Sequence, residues 1–584
     1  MHSLRDAQQQ SGKEAKRNAH PAIQSSHCLQ SHHEPQISGV QQCFVRSSGY
    51  GEKPLSSAYN DAETARPDYE IRRIQHMPFF SLHSQTVERR TGAWPVLLKT
   101  VLLLTFFSAL AFLTLGYHPG FEDDGVYLAA VERRVHPELF PYDFHFFTVQ
   151  LQATIFDRFI AAWVRLTHMS IAWSELLWQC VAMVVILTAS RAILRHFFRS
   201  ECAQWAGVAM LGAMFSLPVS GTALYILDQH LHPRALSTAL ILMAVAWLLE
   251  GRRWSVAACL LGAFFFHPIM GAMGMSFCFF LLLAQQEKLD WMMDTKKPQR
   301  AAVAAMPLGW VFEPPTAAWR QALHTRTYYF PFQWQWYEWL GALAPIALFW
   351  LLAQWASRRG NKALARFAAA VVAYSVVQQG IAVAMTAPPS LIRLIPLQPM
   401  RFLHLVYLFL ALMAGALLGE FFLRTSRLRW ACYLVLIYGG MFASQRAIFA
   451  DTVPVEWPGV VTENPWVQAF TWIRGHTPKD AYFAIDPWYL KAPGEDYHNF
   501  RPLAERSVLA DGVKDAAVCT QVPELADVWL RQRNAQEGLN GFTLKQFEEL
   551  KRKFGVDWVL VSYPANPWLD CRWHNRLLTV CRIP

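Results

Sequence analysis

Charge is what this chain has least of. Only 16% of its 584 residues are Asp, Glu, Lys or Arg, while 53% are hydrophobic. A soluble chain usually carries about 25% charge. The shortfall excludes an ordinary water-soluble globule and points to a bilayer. Two further absences narrow the function. No glycine-rich phosphate loop of the Walker type occurs, which argues against an ATP-driven pump. No cysteines stand at zinc-finger spacing. Cys180, Cys259, Cys278 and Cys432 lie inside apolar runs and read as small packing residues.

What the chain has instead is a series of long apolar runs, near 94–116, 175–194, 203–222, 234–249, 254–284, 336–353, 366–386, 401–423 and 429–449. A helix needs roughly 20 mostly apolar residues to cross about 30 Å of hydrocarbon. The reading is a multi-pass α-helical membrane protein with nine to eleven transmembrane helices. The 254–284 run carries His267-Pro268 near its middle, and proline breaks or kinks a helix. One bent crossing there gives nine spans. Two short helices, with a further crossing around 301–312, give eleven.

The net charge of +10 comes largely from short basic loops between apolar runs, such as "RAILRHFFR", "EGRRW", "ASRRGNKALAR" and "LRTSRLRW". That pattern marks cytoplasmic loops and sets orientation; it does not signal nucleic acid. It places the first loop, 117–150, outside, together with "YILDQHLHPR", "HTRTYYFPFQWQWYEW" and "APPSLIRLIPLQPMR". Everything after Asp451 is then extracytoplasmic.

Three regions follow. Residues 1–90, rich in Gln, Ser and His, form a disordered cytoplasmic segment, because such a composition cannot bury enough apolar surface to offset ordering. An alternative start at Met77 leaves only a short lead-in. Residues 91–451 form the transmembrane domain. Residues 452–584 form a small extracytoplasmic α/β domain, with a helix before strand "AYFAI", the helical pattern "TLKQFEELKRKF" before strand "DWVLVSY", and a last strand "RLLTVCRI". If the last two strands pair, a Cys571–Cys581 disulfide closes a short loop. Cys519 is the alternative partner for either, and three buried, reduced cysteines are the remaining alternative.

Chemistry concentrates at the end of the first span, where Glu122, Asp123 and Asp124 follow one another in "GFEDDGVYLAAVERRV". Asp123 or Asp124 can cap the helix that begins here, since acids favour a helix N-terminus. Capping explains one carboxylate well and three poorly, because adjacent like charges repel. The functional reading makes one of them a general base or a ligand for a hard cation. Arg393 and Arg401 flank "LIPLQPM" and suit phosphate through the planar guanidinium fork, or else serve as interfacial anchors. Arg326 precedes an aromatic run that is either a sugar platform or a membrane-interface belt. His230 and His232 open another external helix. His267 reads as a packing residue at a kink rather than a base.

The layout of an acidic pair after the first span, many short spans and a C-terminal α/β domain on the same side resembles the GT-C class of membrane glycosyltransferases. The resemblance implies a transfer enzyme of the bacterial inner membrane, working at its outer face with a polyprenyl-phosphate-linked sugar. Asp123 and Asp124 become the catalytic candidates, with Arg401, Arg393, Arg326 and His232 on the substrate. No motif demands a cofactor, and the family leaves room for Mg²⁺ or Mn²⁺. Partners are membrane lipid and the lipid-phosphate sugar. Two rivals stand beside this reading: a transporter or flippase of lipid-linked precursors, and a non-enzymatic scaffold with an external partner-binding domain.

Overall fold

The computed structural model describes residues 93–285, 311–450, 452–460, 462–491 and 498–584. The segment 1–90, and most of the 301–312 stretch where the sequence places a further crossing, lie outside the described residues.

The apolar runs form helices. Helix α1 is Ala93–Leu115, and the acidic loop leads into α2, Asp124–Val135, and α3, Phe156–Thr167. Then come α4 (Ile171–Arg195), α5 (Glu201–Ala213), a short hairpin of β1 (Pro218–Val219) and β2 (Leu224–Tyr225), and α6 (Pro233–Glu250). Helices α7 (Arg253–Phe266) and α8 (Pro268–Ala284) are followed by α9 (Ala317–His324), α10 (Trp336–Arg358), α11 (Lys362–Thr386) and α12 (Leu403–Leu418). Among the described residues, six helical stretches are long and apolar enough to cross a membrane, starting at Pro95, Ile171, Pro233, Trp336, Lys362 and Pro389. This is a multi-pass membrane protein.

His267-Pro268 divides its run into two helices rather than bending one. Proline has no N–H to donate and clashes with the preceding turn, so α7 stops at Phe266 and α8 starts at Pro268. The His267 ring caps α8, its Nδ1 accepting the Met270 N–H at 3.3 Å. The two helices then lie against each other. A Cβ on Gly271 would sit 2.4 Å from the Phe264 Cα, so only glycine permits that approach. Helices α5 and α12 touch in the same way: a Cβ on Gly415 would meet the Ala206 carbonyl at 2.5 Å. Lipid tails are as apolar as leucine, so close van der Waals packing of small residues, rather than water exclusion, holds such helices together.

The C-terminal region is built on a mixed five-stranded sheet. Its strands are β3 (Tyr482–Ile485), β4 (Ser507–Val508), β5 (Trp558–Ser562), β6 (Asp570–His574) and β7 (Leu578–Arg582), in the order β4-β3-β5-β7-β6. Strand β3 runs parallel to β4 and β5, and β7 runs antiparallel to β5 and β6. Helix α13 (Pro465–His476) covers one face through Phe470 and Ile473. Helices α14 (Lys514–Gln521) and α15 (Ala526–Ala535) come next in the chain. Helix α16 (Leu544–Phe554) starts at a Thr543–Gln546 capping box and stops at Gly555, whose φ of +75° suits a residue without a Cβ. Cys571 sits opposite Cys581 in the register of β6 and β7, and the two form a disulfide; Cys519 is buried and free.

Pro95–Pro584 forms one compact unit. A buried ion network joins its first loop to the C-terminal region. The Arg501 guanidinium donates to Asp143 at 2.6 Å and holds both Asp515 oxygens at 2.8 Å. Asp515 lies on α14, so this network also sets the position of that helix.

Candidate active site

The acidic lip is shaped by its backbone. Gly120 has φ +79° and Glu122 φ +48°, an uncommon conformation for a residue with a side chain. The Asn499 amide donates to the carbonyls of both, at 3.1 and 2.6 Å. The chain then enters α2 with Asp123 at the N-cap and Asp124 as the first helical residue.

Neither carboxylate caps the helix. Asp123 makes no side-chain cap bond, and Asp124 reaches backward to accept the Gly120 N–H at 2.8 Å. The capping account of the acidic lip therefore fails.

The two acids meet opposite surroundings. Asp123 keeps 36% of its side chain exposed. The Lys514 ammonium lies 3.1 Å from its Oδ1, and it also pairs with Glu122. On the other side, His232 Nε2 lies 3.4 Å and Arg234 Nη2 3.9 Å from Oδ2. Burial raises the Asp123 pKa, but Lys514, His232 and Arg234 together outweigh it and hold the carboxyl well below its ordinary range. Asp124 is fully buried. Burial, then the adjacent Glu175 carboxyl with which it shares a hydrogen bond, push its pKa well up. His230 stands 3.9 Å from Asp124, its pKa pushed down to about 4 by burial.

The helix start "DQHLHPR" organises the cationic side. Asp228 takes a two-pronged bond from Arg234, at 2.9 and 2.6 Å. Despite burial, Arg234 and His232 hold the Asp228 pKa at about 2. His232 caps α6, its Nδ1 accepting the Arg234 N–H at 2.9 Å. Burial keeps this ring neutral, with a pKa of about 4. A neutral ring that accepts at Nδ1 carries its proton on Nε2, so His232 donates to Asp123 and has no lone pair there for a metal. With Lys514 and Arg234 also on Asp123, the lip fits a resident divalent cation poorly. Among the described residues, the grouping with ligand atoms close enough to hold one is His118, Glu456 and His498.

Arg401 lies beyond His232. Its Nη1 is 3.4 Å from His267 Nε2, and the His267 ring is 5.9 Å from that of His232. His267 is therefore part of the site's wall as well as the cap of α8. Arg326 binds the Val513 carbonyl, next to Lys514. Of the sequence-predicted residues, Asp123 and His232 thus meet directly, Arg401 reaches the same wall through His267, and Arg326 holds the backbone beside the Lys514 that pairs with Asp123. Arg393 does not join them: it donates to the Glu313 carbonyl at 2.8 Å and lies over Trp319.

Three guanidinium donors around this centre are buried without a protein partner among the described residues: Arg234 Nη1, Arg326 Nε and Arg401 Nε. Buried polar groups are nearly always satisfied, so three together suit an anionic ligand. A separate cavity of about 300 Å³, lined by Arg133, Arg134, Arg158 and Arg165, contains none of the predicted site residues.

Lys514 and Arg234 escape sequence reasoning as partners of Asp123. The weak signals for them are the helix starts "DGVKDAA", where Asp511 accepts the Val513 and Lys514 N–H groups, and "HPRAL" after Asp228.

No protein-family model matches this chain, and no curated protein matches it. Among solved structures, the apo oligosaccharyltransferase of Archaeoglobus fulgidus is similar at 12% identity and a TM-score of 0.43, over 79% of this chain and 69% of that one. The oligosaccharyltransferase AglB of the same organism, in complex with an inhibitory peptide and a dolichol-phosphate, gives 12% identity and a TM-score of 0.41 over the same shares. The form tethered with an acceptor peptide containing the NVT sequon gives 10% and 0.42, again over 79% and 69%. A likeness at this level assigns no residue and no activity.

Proposed function

We propose that this chain is a membrane glycosyltransferase that takes a sugar from a polyprenyl-phosphate donor at the outer face of a bacterial inner membrane. The observation that carries the reading is the partly exposed Asp123 set among guanidinium groups whose buried donor atoms are unused. Arginine presents a planar fork that matches phosphate oxygens. Arg401 and Arg234 would hold the lipid phosphate, with Arg326 completing the anionic subsite. Arg393, bound to the Glu313 and Pro314 carbonyls, is left to anchor its loop.

The acceptor hydroxyl sits against Asp123. Its oxygen attacks the anomeric carbon, and the bond from that carbon to the phosphate oxygen breaks. The lipid phosphate leaves with the electron pair, the configuration inverts, and the proton passes to Asp123. A carboxyl held well below its ordinary range is a weak base. It suits a reaction in which the leaving group departs early and the attacking hydroxyl becomes acidic only as its bond to carbon forms. His232 and Lys514 orient the carboxylate meanwhile. No step passes through a metal at this site. Asp124, fully buried, does not touch substrate; with Glu175 it supports the loop from behind.

The test is donor capture together with glycan analysis. Protein purified from membranes should retain polyprenyl phosphate, seen by native mass spectrometry, and Arg401→Ala should lose at least about tenfold of it, the equivalent of one charge-assisted hydrogen bond. A deletion strain should lose a surface sugar that the wild-type gene restores. An unchanged surface-glycan profile in the deletion strain would sink the assignment.

A further inference from the structure

We propose that His118, Glu456 and His498 form a structural site for a borderline divalent cation, Zn²⁺ foremost, which fastens the C-terminal region to the first loop. The inference is independent of the sugar-transfer reading. The three residues come from three separate segments: the turn after α1, the linker between the Gly440–Ile448 helix and α13, and the stretch just before the short helix Phe500–Ala504. Glu456 Oε2 lies 3.1 Å from His118 Nδ1 and 2.9 Å from His498 Nε2, and the three ligand atoms all fall within 4.8 Å of one another. Side-chain exposures are 2%, 10% and 1% for His118, Glu456 and His498.

Two imidazoles and one carboxylate are a recognised zinc donor set, with bonds of about 2.0–2.2 Å and a water in the fourth position. A tetrahedral ion at that bond length sets its ligands about 3.4 Å apart, so the two Glu456–histidine spacings need to open by only a few tenths of an ångström, while the two histidine nitrogens already lie within 4.8 Å of each other. Nitrogen-rich sites favour zinc over magnesium, which prefers an all-oxygen shell.

Backbone bonds hold all three ligands in place. Tyr117 pairs with Val455 and Phe121 with His498 as isolated β-bridges. The Glu456 N–H donates to the Tyr117 carbonyl at 2.9 Å, and the His118 N–H to that of Gln229 at 2.8 Å. The Phe449 ring stacks on His118 at 4.5 Å and shields the group from water. Preorganised ligands in a dry shell bind metal tightly. The site stands five residues before Asp123, on the same loop that Asn499 clamps, so an ion here would also steady the catalytic candidate.

The direct experiment is metal analysis of the full-length protein, purified in detergent, loaded with Zn²⁺ and desalted. About one zinc per chain should remain. His118→Ala and His498→Ala should each lose most of it, while Asp123→Asn should keep it. Co²⁺ loaded into the unaltered protein should give the intense visible bands of a tetrahedral site, a readout that needs no variant to fold. Wild-type protein that holds less than a tenth of an equivalent would overturn the proposal and leave the three side chains as a hydrogen-bonded clamp. Zinc retained in both histidine variants, or a weak octahedral cobalt spectrum, would overturn it as well.

Discussion

Asp123 and Asp124 are neighbours in the chain, yet they occupy two different regions of the molecule. Asp123 belongs to a cationic rim formed by Lys514, His232 and Arg234, with over a third of its side chain exposed. Asp124 belongs to a carboxyl-lined pocket behind that rim, fully buried beside Glu175. Cations lower the pKa of one carboxyl, while burial and a like group raise that of the other. Environment rather than residue type divides their roles, as it does wherever two acids are set to different tasks. The rim acid is available to substrate. The pocket acid, its pKa pushed up by burial and by Glu175, supports the backbone of Gly120.

The largest expected effect separates the two directly. Asp123→Asn should lower sugar transfer by about 10²–10⁴-fold, the usual worth of a positioned acid–base group. Asp124→Asn keeps an oxygen to accept the Gly120 N–H and removes an acid whose pKa burial and Glu175 already push up, so it should change transfer and stability by less than about 1 kcal/mol, roughly a factor of five. Single-turnover transfer rates for the two variants would settle the matter, and equal losses would erase the distinction between rim and pocket.

Next in size is the support beneath the rim. Arg501→Met leaves Asp143 and Asp515 buried without their cation, and breaking such a pair destabilises by about 3–5 kcal/mol. Because α14 carries both Asp515 and Lys514, the variant should also disturb Asp123. Thermal unfolding followed alongside donor capture should show both falling together.

A smaller loss comes from a place remote from the rim. Cys571→Ser with Cys581→Ser opens a loop of sequence separation 10, which by the chain-entropy model removes about 2–3 kcal/mol. Transfer below the melting temperature should persist. If it vanished in protein that is still folded, stability and chemistry would not be as separable as the comparison requires.

The smallest effect is a pH dependence. The unfolded chain protonates His230 near 6.5, whereas the folded chain does so only at about 4. Between those values the unfolded state binds more protons, so this histidine's contribution is fully present above pH 6.5 and is lost as pH falls towards 4. Asp124, with its raised pKa, acts in the opposite direction: its contribution is lost as pH rises. Asp124 is common to wild type and a His230→Gln variant, so the difference between their melting curves isolates the histidine. The advantage of wild type over the variant should shrink from pH 7 to pH 4.5, and a constant difference would contradict the neutral-ring assignment.

Much of the architecture was legible in the chain. Run lengths gave the membrane helices, His267-Pro268 marked a real break, and three strands follow from alternation and turn signals; the Cys571–Cys581 bridge is one of the pairings the sequence leaves open, and the reading lacks strand β6, which decides it. Each of these depends on neighbours within a few residues. The 203–222 run shows the limit of that: it reads as a full span, but helix stops at Ala213 and the chain turns into a β-hairpin. His267 shows another, since its position by Arg401 depends on a helix 134 residues away.

The sequence by itself determined that this chain lives in a membrane and that its acidic lip and its arginines cluster near helix ends. Apolar length, charge asymmetry and turn chemistry are local quantities and can be read along a line. Only the tertiary structure decided which acid is reachable, because successive residues at the start of a helix point about 100° apart and packing alone selects which one turns inward. Only the tertiary structure brought Lys514 to Asp123 across 391 positions, and His118 to Glu456 across 338. No local pattern encodes such meetings; they arise because the compact unit buries both partners at once, where each charge or ring stands only if another lies within hydrogen-bond reach.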